Sequence, residues 1–308
     1  MPAPAPSPFH ALHRPGELLF LPCVWDTVSA RLFSALPSVR ALGTTSAGLA
    51  AAHGVGDGQQ LAPAELLRAV EGIRAATALP VSVDLERGYA DDAKGVHRFV
   101  GELLDLGISG INLEDGLPEN DPAGGGALAE PAEHAERLAA ARAAATDRGL
   151  PLFVNARTDV WWHPAASAPA RRFEAGAARL RRYVAAGADG VFAPGYPART
   201  DPDGPAAVRR LVEAVDGAPL NLLLRPGLPT LVELAGLGVR RVSTGSGLYR
   251  LALAQARRAY AVIAAGGPSE AVADESGLPY AELARLLRPE DTGNTEDTED
   301  DTDDDPGS

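Results

Sequence analysis

Between Leu18 and Ala264 the chain repeats one alternation eight times, a short apolar run that reads as a strand followed by a stretch with helical apolar spacing. Strand-like runs are Leu18–Cys23, Val39–Thr45, the stretch from Pro80, Gly110–Glu114, Leu152–Asp159, Gly190–Ala193, Leu220–Arg225 and Arg241–Gly245. Helical patterns follow over Asp26–Phe33, from near Pro63 through Ile73, through Val96, Phe99, Leu103 and Leu104, and over 132–147, 170–186, 205–215, 229–236 and 247–264, with a last one at 279–287. A small-residue turn, Ser46–Gly48, and a loop, His53–Gly58, separate the second strand from its helix. This rhythm predicts an α/β chain forming a (β/α)8 TIM-type barrel with extra C-terminal helices, a doubly wound sheet being the main competitor. The expected division is a disordered proline-rich arm over 1–16, the barrel over 17–288 and a disordered acidic tail over 289–308.

Charge and composition narrow the partners. Ten of the thirteen net negative charges lie between Pro289 and Ser308, so the body is nearly balanced. No basic stripe points to nucleic acid, and no apolar run reaches the roughly 18 residues that span a membrane. The N-terminus lacks the basic and apolar regions of a signal peptide, which leads us to expect a cytoplasmic protein. A single cysteine, Cys23, excludes an internal disulfide and a cysteine-built metal centre. The only lysine, Lys94, lies beyond the third strand, a poor position for a Schiff base, so electrophilic help is expected from a metal.

The third strand ends Asp84-Leu85-Glu86, and a strand continuing through it would turn both acids to one side of the sheet. The fourth ends at Glu114-Asp115-Gly116, repeating the pattern. Acids at strand ends also cap helices or face solvent; two such sets at neighbouring strand ends favour a hard cation, Mg2+ with Mn2+ as an alternative. A barrel would gather Trp25, Asp26, Ser46, Asp57, Asp84, Glu86, Glu114, Asn155, Arg157, Asn221 and Ser246 around one mouth. The turn-rich segment 117–131 has the length of a lid, or of a linker.

Thr45-Ser-Ala-Gly48, Gly54-Val-Gly-Asp57, Asp84-Leu-Glu-Arg-Gly-Tyr89, Asn112-Leu-Glu-Asp115 and Asn155-Ala-Arg-Thr-Asp159 together resemble, in order, the isocitrate lyase and phosphoenolpyruvate mutase superfamily over residues 17–288. The resemblance implies Asp84, Glu86 and Glu114 as Mg2+ sites, direct or through water, with Asp57 close by. It implies Ser46, Ala47 and Gly48 as the seat of a substrate carboxylate, and Arg157 as its cationic partner. Trp25 and Asn155 are expected beside substrate, or in packing; Tyr89 either orients a substrate oxygen or packs. Dimers or tetramers formed by exchanging the helix after the eighth strand are also implied.

Two departures bear on activity. Lyases of the family carry a Lys-Lys/Arg-Cys-Gly-His lid motif, and segment 117–131 has no Cys, Lys, Arg or His. Mutases and phosphonopyruvate hydrolases offer a basic residue and an asparagine; here only Asn120 stands for the asparagine, beside Glu119 and Asp121, which would repel a phosphonate. The expectation is a Mg2+-dependent carbon–carbon lyase or decarboxylase acting on a small 2-oxo or 2-hydroxy di- or tricarboxylate such as oxaloacetate or a 2-alkylmalate. The alternatives are C–P mutase or hydrolase chemistry, and a barrel that binds a carboxylic acid without turning it over.

Overall fold

The computed structural model describes residues 5–118, 126–163, 168, 171–197, 203–270 and 277–288. The strands are β1 (Leu19–Leu21), β2 (Cys23–Val24), β3 (Leu42–Thr44), β4 (Val81–Asp84), β5 (Gly110–Glu114), β6 (Phe153–Arg157), β7 (Gly190–Ala193), β8 (Leu220–Leu223) and β9 (Arg241–Ser243), all paired in parallel. β1 pairs with β9 and β2 with β3, and the two are one strand bent at Pro22. Proline gives no N–H to the ladder, yet its carbonyl still accepts from Gly43 N at 2.9 Å. The sheet thereby closes into the expected eight-stranded barrel.

The helices α1 (Pro8–Ala11), α2 (Thr27–Ser34), α3 (Ser46–Ala52), α4 (Pro63–Ala75), α5 (Ala93–Asp105), α6 (Pro131–Arg148), α7 (Arg172–Ala185), α8 (Gly204–Ala214), α9 (Leu231–Gly236), α10 (Gly247–Ala264) and α11 (Tyr280–Leu286) complete the chain. Asp26 caps α2 by accepting from Ser29 N at 2.6 Å, and Asp92 caps α5 through Gly95 N at 2.7 Å. The Ser46–Gly48 stretch, expected as a turn, is instead the first turn of α3, whose cap is the Thr45 side chain accepting from Gly48 N. No described helix is long and apolar enough to cross a membrane.

Alternation along each strand divides the core in two. Val81, Val83, Ile111, Leu113, Val154, Ala156, Val191, Leu220, Leu222 and Val242 pack outward under the helices. Leu19, Leu21, Ala41 and Phe153 fill the barrel from within, joined by Phe9 of α1. Two glycines make room for these rings: a Cβ at Gly110 would meet Phe9 Cε1 at 2.6 Å, and one at Gly190 would meet Phe153 Cζ at 2.9 Å.

The arm expected to be disordered over 1–16 is corrected here: within it, α1 closes the end of the barrel opposite the strand C-termini, with Phe9 and His13 buried. His13 Nε2 lies 2.9 and 2.7 Å from Nε and Nη2 of Arg241, which is fully buried, while Phe9 and Phe153 lie 5.3 and 4.9 Å from the guanidinium carbon. His13 Nδ1 lies 2.9 Å from Phe9 O, which assigns the proton to Nδ1 and the acceptor role to Nε2. Burial first, then the Arg241 charge, hold His13 down to about 2, so it stays a neutral acceptor. Residues 1–4 and the tail 289–308 lie outside the described residues.

Phe9→Ala should empty the floor of the barrel and lower stability by about 3–5 kcal/mol. Chemical denaturation measures this, and an unchanged midpoint would show that α1 does not contribute to the core.

Candidate active site

β4 stops at Asp84, whose N–H donates to Thr44 Oγ1 at 2.9 Å. The expected continuation of the strand through Glu86 is corrected: Glu86 and Tyr89 have φ of +48° and +52°, the left-handed region that costs a non-glycine residue about 1 kcal/mol or more. β5 holds this turn in place through Leu85 N to Asn112 O (3.1 Å) and Glu114 N to Glu86 O (2.8 Å). Both acids reach the mouth, Glu86 through a strained turn rather than through strand alternation.

Each acid has its own donors. Ser46 Oγ donates to Asp84 Oδ2 at 3.0 Å, and Asn112 Nδ2 donates to Asp84 Oδ1 at 3.4 Å. Asn155 donates in turn to Asn112 Oδ1 at 2.8 Å; these three residues stand level on β4, β5 and β6. Asn155 therefore supports the site from behind. Glu86 accepts from Tyr89 OH at 2.8 Å and from Gln59 N at 2.7 Å, and the Gln59 amide oxygen accepts from Tyr89 N at 2.7 Å. Tyr89 is committed to Glu86 and stacks on Phe99, with 5.6 Å between ring centroids.

Arg157 is clamped between two acids. Its Nε and Nη2 reach Asp159 at 2.6 and 2.9 Å, and Nη1 reaches Glu114 Oε2 at 2.7 Å. Asp159 is held by Asp115, which is fully buried and accepts from Asp159 N (2.9 Å), Thr158 Oγ1 (2.8 Å), Arg179 (3.0 Å) and Tyr183 OH (2.7 Å). Two guanidinium N–H groups are thus hydrogen-bonded to Asp159 and Nη1 is ion-paired with Glu114, which leaves N–H groups that can bond a ligand.

Two joined cavities open here. The inner one, about 110 Å3, is lined by Ser46, Ala47, Asp57, Asp84 and Arg157 among others; the outer one, about 170 Å3, is lined by Asp57, Glu86, Glu114, Arg157 and His163. Asp57, Arg157 and Trp162 line both. Gly48 is packed instead, since a Cβ there would meet Thr45 Cγ2 at 2.5 Å. Trp25 packs edge-on to Phe33 and Tyr249 and lines neither cavity. Asn120 lies outside the described residues, while the ends of the expected lid pair with each other through Leu117 N to Ala127 O at 3.0 Å.

The electrostatics are those of crowded acids. Burial, then the charges of Asp57 and Asp84, push Glu86 up to about 7. Burial pushes Glu114 well above the carboxylate range despite Arg157. Asp57 is exposed as a residue, but its carboxyl loses water in the mouth and, with Asp84 beside it, is also raised. Burial opposes the charge of Arg157, but Asp159 and Glu114 outweigh it and keep the guanidinium charged. Cys23 lines the inner cavity, and burial raises its thiol, so it stays protonated.

All charged donors at this cluster are carboxylates, which suits a hard cation. Among the described residues no three His, Cys, Asp or Glu side chains stand close enough to ligate one ion together. Carboxylates of this kind fit a cation that keeps much of its water and takes few protein ligands, the habit of Mg2+.

The arrangement now has company. The chain matches the family model described as phosphoenolpyruvate phosphomutase over residues 9–264. It belongs to that family. An uncharacterised protein of Mycobacterium tuberculosis is 36% identical, covering 91% of this chain and 96% of its own length. Oxaloacetate decarboxylase of a Bradyrhizobium strain is 30% identical, covering 86% of each. The solved 2,3-dimethylmalate lyase, a phosphoenolpyruvate mutase/isocitrate lyase superfamily member, shares the fold at TM-score 0.74 and 25% identity, over 90% of this chain and 89% of that one. Phosphonopyruvate hydrolase, solved with oxalate and Mg2+, has the same fold at TM-score 0.74 and 23% identity, over 90% and 93%.

Glu86 gains a proton relative to the unfolded chain between its ordinary 4.5 and about 7, so its contribution to stability is present below 4.5 and is lost as pH rises through 7. Metal-free protein should therefore lose stability over that window, on the order of 3 kcal/mol at about 1.4 kcal/mol per pKa unit. Glu86→Gln should flatten the profile in thermal melts from pH 4.5 to 8, and an identical slope in the variant would refute the assignment.

Proposed function

We propose that the chain is a Mg2+-dependent carbon–carbon lyase or decarboxylase acting on a small 2-oxo or 2-hydroxy di- or tricarboxylate of the oxaloacetate or 2-alkylmalate class. The observation that carries this reading is the clamped Arg157, which lines both cavities, with Asp57 and Asp84 on the one of about 110 Å3 and Asp57, Glu86 and Glu114 on the one of about 170 Å3. Arg157 offers its remaining N–H groups to a substrate carboxylate, and the Glu114 and Asp159 contacts hold the guanidinium in place. A substrate with two carboxylates needs more positive charge than one guanidinium supplies.

Asp84, Glu86 and Glu114, with Asp57 nearby, would hold the Mg2+ directly or through its waters. When bound, the ion supplies positive charge to the 2-oxo oxygen as electrons arrive there. For oxaloacetate the C3–C4 bond breaks, C4 leaves as CO2, and the electron pair passes through C3 to the 2-oxo oxygen; a proton then returns to C3 to give pyruvate. Ser46 and Asn112 hold the Asp84 carboxylate, and Tyr89 and Gln59 hold that of Glu86, so both are oriented before substrate arrives. Tyr89 acts through Glu86, a positioning role rather than that of a free acid. The acids on segment 117–131 disfavour a phosphonate, which leaves C–P chemistry as the competing outcome.

We also propose that the chain forms a homodimer or homotetramer by exchanging α10. None of its residues is buried, and Leu251, Leu253, Tyr260, Val262 and Ile263 stand exposed along it.

Pyruvate release from oxaloacetate, 2-alkylmalates, methylisocitrate and phosphonopyruvate should occur only with the carbon acids. It should need Mg2+, vanish in Asp84→Ala and fall on the order of 100-fold in Arg157→Lys. Turnover of phosphonopyruvate alone would favour the C–P reading, and Mg2+ binding without turnover would favour a non-catalytic barrel. Light scattering at micromolar concentration should give a dimer or tetramer; a monodisperse monomer would refute the exchange.

A further inference from the structure

On the barrel end away from the mouth, the C-terminal ends of α2 and α4 and the crossing α11 enclose a cavity of about 780 Å3. Its polar wall is Arg31, Arg74, Arg285, Arg288, Ser34 and Thr77, with no acidic residue in the lining among the described residues. Arg31 donates to the carbonyls of Leu286 and Arg288, each at 2.9 Å, and Arg74 donates to those of Thr77 and Gly107. These bonds to neutral acceptors position the two side chains without cancelling their charge. No ion pair joins any of the four arginines to a carboxylate among the described residues. In a chain of net charge −13 this is a concentrated positive site lacking its counter-charge.

The counter-charge follows in the sequence. Arg288 forms part of the cavity wall, and the next twenty residues, 289–308, carry ten Asp or Glu and no Lys or Arg. At ~3.3 Å per residue an extended chain of that length greatly exceeds the span of the cavity. Because the segment starts at the rim, binding within the chain has an effective concentration in the mM range, far above that of a free competitor.

We propose that the Arg31–Arg74–Arg285–Arg288 cavity is the docking site for the chain's own acidic segment 289–308. The contact neutralises the arginines and fastens α11 across α2. It stands independently of the reaction proposed above.

The test uses full-length protein and a fluorescent peptide of residues 289–308. In one variant the ten acids of the segment are replaced by Asn and Gln, which frees the cavity without shortening the chain. At low salt this variant should bind the peptide, and the native chain, whose own segment occupies the site, should bind it at least 10-fold more weakly. Adding Arg285→Glu and Arg288→Glu, both at exposed positions, should weaken peptide binding at least 10-fold with an unchanged melting temperature. Rising salt should weaken binding further. Equal binding to the native and neutral-segment chains, indifference to the Arg→Glu changes, or no binding at low salt would each overturn the proposal.

Discussion

Period-two alternation in a closed parallel sheet gives every strand two different interiors to fill, and the organisation of this molecule follows from how they are filled. Outward positions on β4 to β9 are mostly aliphatic, because helices cover them, whereas Phe20 of β1 stands exposed. Inward positions change character along the barrel axis. At the closed end lie Leu19, Phe153 and Arg241; level with the mouth lie the amides Asn112 and Asn155 beside Asp84, with Glu114 and Arg157 paired one step higher. One geometric rule thus builds a hydrophobic floor and a charged rim on the same eight strands.

The rim is stable because its opposite charges are paired asymmetrically. Arg157 takes Glu114 on one side and Asp159 on the other, while Asp84 and Glu86 rely on neutral donors. Burial first, then the neighbouring carboxylates, raise the proton affinity of Glu86.

The outward pattern was legible in the sequence because burial on both faces leaves continuous apolar runs, and the strand-end acids stood out against them. What stayed hidden depends on contacts distant in sequence. Ser46–Ala52 carries a glycine in its first turn, which weakens a helix reading; the Thr45 cap and the seat of Ser46 on Asp84 decide in its favour. Prolines mask Phe9 and His13, whose burial is set by Arg241, 228 positions from His13. Gln59 supports Glu86 from an otherwise featureless loop, and Asn155 serves the site through Asn112 instead of facing the cavity. Asp159 lay within a quoted motif, but its two-pronged grip on Arg157 is a property of side-chain geometry that spacing does not encode.

The floor laid by Phe9, His13 and Phe153 makes the barrel a blind cup. The cavity beside Ser46 and Arg157 lies at the mouth, while the packing of the N-terminal helix closes the opposite end, so access to the barrel depends on a helix placed far from the residues that line that cavity.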